Sequence, residues 1–144
     1  MPYKVLIVED QTLDRHEFHK MFSDAGRNNY ILLDAENGGE ARRTAQEETP
    51  NLILLDGMFP EDAKSRVRSD AGIHFLRGLR NEQATERIPV VFVTGMSWER
   101  PSKEELGRLV VFGWFRKWPR DLELDRFWEA VDQALAFSTN SVAS

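Results

Sequence analysis

The stretch Asn51-Leu52-Ile53-Leu54-Leu55-Asp56-Gly57-Met58-Phe59-Pro60 decides how this chain folds. Its apolar part is short and unbroken, the pattern of a strand buried on both faces of a helix-covered parallel sheet. Asp56 then stands at the C-terminal end of that strand, the edge where open α/β sheets place their ligands. A second run, Val5-Leu6-Ile7-Val8, ends the same way in Glu9-Asp10. Two buried strands that each end in acid bring like charges together, which is unfavourable unless a cation lies between them. The pattern points to a divalent-metal site beside an aspartate open to modification.

Working outward, strands alternate with helices. Strands are predicted at Tyr3–Val8, Tyr30–Asp34, Leu52–Leu55, Pro89–Val93 and, briefly, Trp114–Arg116. Helices are predicted at Thr12–Ser23, with Phe18, Met21 and Phe22 on one face, and at Gly38–Glu48, held mainly by Ala41 and Ala45. Three more follow at Gly72–Arg80, Ser102–Val111 and Leu124–Phe137. Ile73, Leu76 and Leu79 share a face of the first, and Ser102 with Glu105 forms a capping box in the second. Successive βα units imply a parallel sheet covered on both faces. The polar tail 138–144 is expected to fray into a disordered end. The charged segment Glu61–Asp70 reads as a long loop, since such connections usually run about two to six residues.

At 144 residues and a formal net charge of -5, the chain has the size of one domain. Its charge argues against nonspecific nucleic-acid binding, which needs clustered positive charge. The absence of cysteine excludes disulfides and thiolate metal sites and suits a reducing cytoplasm. No stretch is apolar enough for a membrane span, and the first strand starts too early for a signal peptide. The expectation is a cytoplasmic monodomain with no membrane and no DNA-binding domain.

Three further residues join the carboxylates. Thr94 ends Val91-Phe92-Val93-Thr94-Gly95 with a hydroxyl at the same sheet edge, and Gly95 leaves space for an approaching group. Lys117 follows the fifth strand in Trp114-Phe115-Arg116-Lys117-Trp118-Pro119. Hard carboxylate oxygens with room for water suit Mg²⁺. A hydroxyl and an ammonium suit the oxygens of a transferred phosphoryl group. Asp56 is then the nucleophile, forming an acyl phosphate.

With Glu9-Asp10, Ala35-Glu36-Asn37-Gly38, Asp56 followed by Pro60, Thr94-Gly95 and Lys117 in order, the chain resembles a response-regulator receiver domain of two-component signalling, of the single-domain, chemotaxis-regulator-like kind. The resemblance covers residues 3–137. It implies an α/β fold: a flavodoxin-like, doubly wound, five-stranded parallel sheet of order 2-1-3-4-5 with five helices. It also implies that Asp56 accepts a phosphoryl group from the phosphohistidine of a histidine kinase or histidine phosphotransfer protein. Glu9, Asp10, Asp56 and the backbone carbonyl of Met58 would hold Mg²⁺. Thr94 and Lys117 would bind the phosphoryl group, and Trp114 would be the aromatic that reorients with Thr94 on activation. Such a chain has no separate enzymatic activity beyond self-catalysed phosphoryl acceptance and autodephosphorylation. Its downstream protein target is unknown. The expected output surface lies around the fourth helix, fifth strand and fifth helix, where Val110, Val111, Phe112, Trp114 and Trp118 fall, rather than in Glu61–Asp70.

Departures from the family pattern keep alternatives open. The family lysine is usually followed directly by proline, whereas Trp118 stands between Lys117 and Pro119. Aligning on Pro119 instead would put Trp118 in the lysine position and make Phe115 the switch aromatic. Lys117 is favoured because no other lysine is near. The segment after Pro60 is longer than usual, and Arg42 stands where the family commonly has leucine. The displaced proline and the long segment leave room for a degenerate receiver serving only as a protein-interaction module. An aspartate-based phosphohydrolase would need a second aspartate two residues after the nucleophile, and position 58 is methionine. His16, His19 and His74 read as surface or packing residues.

Overall fold

Along Tyr3–Val8 (β1), successive side chains point to opposite sides, so Val5 and Ile7 enter one core while Leu6 and Val8 enter another. The same sorting repeats at Leu52–Leu55 (β3) and Val90–Thr94 (β6), whose residues are all buried. Strands apolar on both faces need helices on both, and the chain supplies them. Thr12–Asp24 (α1) and Asp121–Ala143 (α5) cover one face with Phe18, Phe22, Phe127, Val131 and Leu135. Gly38–Glu48 (α2) and Ala71–Arg80 (α3) cover the other with Ala41, Ala45, Phe75, Leu76 and Leu79. The computed structural model describes residues 2–95, 101–117 and 121–143, with backbone only at 121, 122 and 141–143.

Tyr30–Ala35 (β2) and Val111–Arg116 (β7) complete the sheet. Its order is β2-β1-β3-β6-β7, and every pairing is parallel. Counted among the sheet strands alone, this is the expected 2-1-3-4-5. Among the described residues, no helix is long and apolar enough to cross a membrane.

Several boundaries differ from the expectation. Glu61–Asp70 is not simply a loop: Phe59–Pro60 (β4) and Val67–Arg68 (β5) pair antiparallel around it. Asp62 shapes the tip, its carboxylate accepting from the Lys64 N–H at 2.9 Å and its carbonyl from the Ser65 N–H. Sequence periodicity misses so short a ladder because a two-residue strand has no period. The fourth helix, Lys103–Arg108 (α4), starts at the Ser102 cap as expected, Ser102 Oγ accepting from the Glu105 N–H. It ends early because Val110 takes a left-handed conformation at φ 59°, uncommon for a β-branched residue. That reversal feeds Val111 into β7, three residues ahead of the expected start at Trp114, with a register shift between Val90 and Val91. At the C-terminus the helix runs on past Phe137 to Ala143, because Ser138 is buried and its hydroxyl accepts from Asn51 Nδ2.

Arg80 closes the base of this half of the sheet. Its guanidinium donates to the carbonyls of Leu109 (2.7 Å), Thr85 (3.1 Å), Glu86 (3.1 Å) and Ile88 (2.6 Å). Burial lowers its pKa to about 10, which leaves it charged at neutral pH. One side chain thus joins the end of α3, the segment entering β6 and the end of α4. Arg80→Ala leaves these carbonyls without their donor and should destabilise the fold by about 2–3 kcal/mol, read as a lower urea midpoint. Arg80→Lys, lacking the fork of donors, should recover less than half of that loss.

Candidate functional site

The parallel register builds the site. Val8 and Leu55 are paired across β1 and β3, and the Asp56 N–H donates to the Val8 carbonyl. Glu9-Asp10 and Asp56 therefore leave the sheet side by side. On the next strand, Thr94 ends β6, and the Lys117 N–H donates to its carbonyl at 3.0 Å. All of these residues thus stand on the C-terminal edge. Gly72, opening α3, makes the close approach possible. A Cβ there would lie 2.7 Å from the Asp56 carbonyl oxygen and 2.9 Å from the Phe92 ring.

Lys117 Nζ is the centre of the cluster. It contacts Glu9 Oε1, lies 2.9 Å from Asp14 Oδ2 and 3.1 Å from Asp56 Oδ2. Glu9 is fully buried and Asp56 nearly so. One ammonium cannot neutralise three carboxylates. Burial first, and then the Asp56 charge, push the Glu9 carboxyl up to about 9, with Lys117 offsetting only part of the rise. Burial alone would lower the Lys117 ammonium. Its contacts with Glu9, Asp14 and Asp56 outweigh that and hold it above its ordinary value.

One oxygen from each of Glu9, Asp10 and Asp56 lies within 4.8 Å of the others. An all-oxygen set with excess negative charge and a half-exposed member suits a hard, partly hydrated dication such as Mg²⁺. The Met58 N–H faces Asp56 Oδ1 at 3.4 Å, which keeps that backbone beside the carboxylate. Thr94 is buried at the end of its strand. Trp114 stacks on Phe92, ring centroids 4.4 Å apart and 26° between planes, on the face covered by α2 and α3. Trp118 and Pro119, on which the other alignment rests, lie outside the described residues. Gly95 is not sterically required, since a Cβ there would make only ordinary contact with Lys117.

Sequence reasoning missed Asp14, which lies in the first turn of α1, just after the acids that end β1. It also missed Arg15, whose guanidinium donates to the Glu9 carbonyl at 3.0 Å and holds the turn that carries the acids. His16 and His74 are exposed, and His19 pairs with Asp34 on the surface, 3.0 Å away.

A parallel sheet of this order, with acids converging at its C-terminal edge and a lysine bridging them, defines a receiver-type domain. The family described as the response regulator receiver domain matches residues 5–117, and the chain belongs to it. The polar-differentiation response regulator DivK of Brucella anthropi is 32% identical over 97 residues, 67% of this chain and 70% of that protein. Protein PilH of Pseudomonas aeruginosa is 30% identical over 91 residues, 63% of this chain and 66% of that protein. The fold is shared with the chemotaxis response regulator CheY4 of Vibrio cholerae at a TM-score of 0.69 and 21% identity, covering 94% of this chain and 100% of that one. Receiver domains of this family act in two-component signalling as phosphoacceptors rather than as enzymes, and bind Mg²⁺ at an acidic pocket.

The Glu9 shift sets a pH dependence. Between the ordinary value of 4.5 and about 9, the folded protein holds a proton that the unfolded chain has released. Without divalent cation, stability should therefore fall as pH rises from 6 to 9, a range above the titration of ordinary carboxylates at about 4. Urea midpoints in chelator should show the decline. Glu9→Gln should remove most of it, and saturating Mg²⁺ should flatten it in the wild type.

Proposed function

We propose that the chain is a phosphoacceptor response regulator in which Asp56 takes a phosphoryl group from a phosphohistidine of a histidine kinase or histidine phosphotransfer protein. The observation that carries this reading is the Lys117 ammonium spanning Glu9 and Asp56 at the mouth of an acidic cluster. That arrangement sets a cation beside the nucleophilic carboxylate, where phosphoryl oxygens would arrive. Glu9, Asp10, Asp56 and the Met58 carbonyl would hold Mg²⁺, which when bound supplies charge neutralisation for the incoming oxygens. Asp56 attacks phosphorus with a carboxylate oxygen, and the P–N bonding pair returns to the donor imidazole. Lys117 follows the new negative charge, and the Thr94 hydroxyl donates to it. The contact between Lys117 and Asp56 favours the alignment on Lys117 over that on Trp118. It also weighs against a degenerate module, whose acidic site would have no reason to retain a lysine among its carboxylates. A cytoplasmic location follows from the partners this reading requires.

Intact-mass measurement with acetyl phosphate and Mg²⁺ should show one added phosphoryl group. It should be absent in Asp56→Asn and absent in chelator. Labelling that survives either change would overturn the assignment of Asp56.

For output, we infer that phosphorylation draws Thr94 toward Asp56, opens space behind it, and lets Trp114 move inward from its place against Phe92. Trp114, Phe112 and Val111 are half-buried on β7, and large aromatics supply contact area at low entropy cost. The surface of α4, β7 and α5 would then carry the phosphorylation-dependent contact to the downstream protein. Beryllofluoride should change amide exchange across residues 110–117. Changes confined to residues 61–70 would move the output element to the hairpin.

A further inference from the structure

Two departures from the family pattern, Arg42 and the long segment after Pro60, meet in space. Glu61, the first residue after β4, reaches back to the start of α2 and touches it in three ways. Its carbonyl accepts from the Gly39 N–H at 2.9 Å. Its carboxylate lies over Gly38, where a Cβ would come within 2.6 Å of Oε2. That carboxylate also pairs with Arg42, one turn along the same helix. The first-turn N–H groups of α2 are thereby shared out, since Asn37 Oδ1 accepts from the Glu40 N–H at 2.8 Å. A carboxylate over the first turn also meets the positive end of the helix dipole.

The segment held in this way is the one that leaves Asp56. Gly57 is fixed on one side, its carbonyl accepting from the Gly72 N–H at 3.0 Å. Phe59 is fixed on the other, fully buried with its ring edge-on to Phe75 at 6.1 Å. Glu61 then ties the end of the segment to α2, and β4 and β5 turn the remaining chain away as a hairpin. Met58 is suspended between these anchors.

We propose that Glu61, with Arg42, is a positioning pair that clamps the Asp56–Pro60 segment to α2 and so presets the Met58 backbone for the dication. This inference rests on the metal-binding reading of the site, and it assigns the unusual hairpin and the unusual arginine to one device. Neither residue touches the carboxylate cluster. Their effect is geometric, as with residues that orient the ligands of a metal site.

The test uses the full chain and MgCl₂ titrated by calorimetry, with amide exchange of residues 57–61 measured without metal. Glu61→Ala and Arg42→Ala should each raise the Mg²⁺ dissociation constant by about threefold to tenfold, the range that a helix-terminus contact and a half-exposed ion pair together supply. The double variant should lose little more than either single one. Arg42→Lys should retain most of the affinity, while thermal midpoints stay near wild type. Amides 57–61 should exchange faster in both alanine variants. Unchanged Mg²⁺ affinity in Glu61→Ala and Arg42→Ala would overturn the proposal, as would unchanged exchange. If the wild type binds no Mg²⁺, the functional reading of the site fails, and the exchange measurement alone then decides whether the clamp exists.

Discussion

Everything at the working edge of this protein depends on holding three carboxylates around one ammonium in a place largely closed to water. Glu9, Asp14 and Asp56 converge on Lys117 Nζ. Charges brought together in this way destabilise a fold unless other packing holds them. Here the holding force is the sheet. Val5 through Val8 and Leu52 through Leu55 are buried without exception, and their parallel register delivers both acidic ends at one level. The two apolar layers therefore do more than stabilise the chain, because they keep an electrostatically unfavourable cluster assembled and ready for a cation.

Without metal, the site compromises: Lys117 is shared and Glu9 keeps its proton more tightly than a solvated carboxyl would. On the proposed function, a dication or a phosphoryl group would change the number of charges to be matched, and Lys117 and Thr94 would redistribute. Both sit at strand ends, and Trp114 on β7 stacks on Phe92 of β6, two residues before Thr94. A change in charge at the edge can thus reach an aromatic contact inside the adjoining layer. Arg80 ties the end of α4 to the segment entering β6.

The relation to DivK and PilH concerns the domain as a class, and the local differences lie where this chain departs from the family pattern. The hairpin following Pro60 and the arginine on α2 look unrelated in the sequence. In the fold they are partners through Glu61. Insertions beside a conserved chemistry are tolerated when their ends are close and satisfied. This one is satisfied by a helix N-terminus, which suits a carbonyl and a carboxylate alike.

The α/β class and the acids at the sheet edge were legible in the sequence, because an unbroken run such as Leu52–Leu55 admits few burial patterns and a strand end admits few places. Thr94 and Lys117 were legible for the same reason, each closing or following a recognisable strand. The strand order came only with the resemblance to receiver domains. The sequence could not locate the β4–β5 hairpin, the early end of α4 at Val110, or the extension of α5 to Ala143. These follow from a two-residue ladder, a single left-handed backbone angle and the burial of Ser138, none of which leaves a periodic trace. Nor could it show that Asp14 joins Lys117 or that Glu61 reaches Arg42. Such contacts depend on distances across elements, and only the packing of α1, α2 and the sheet brings those side chains together.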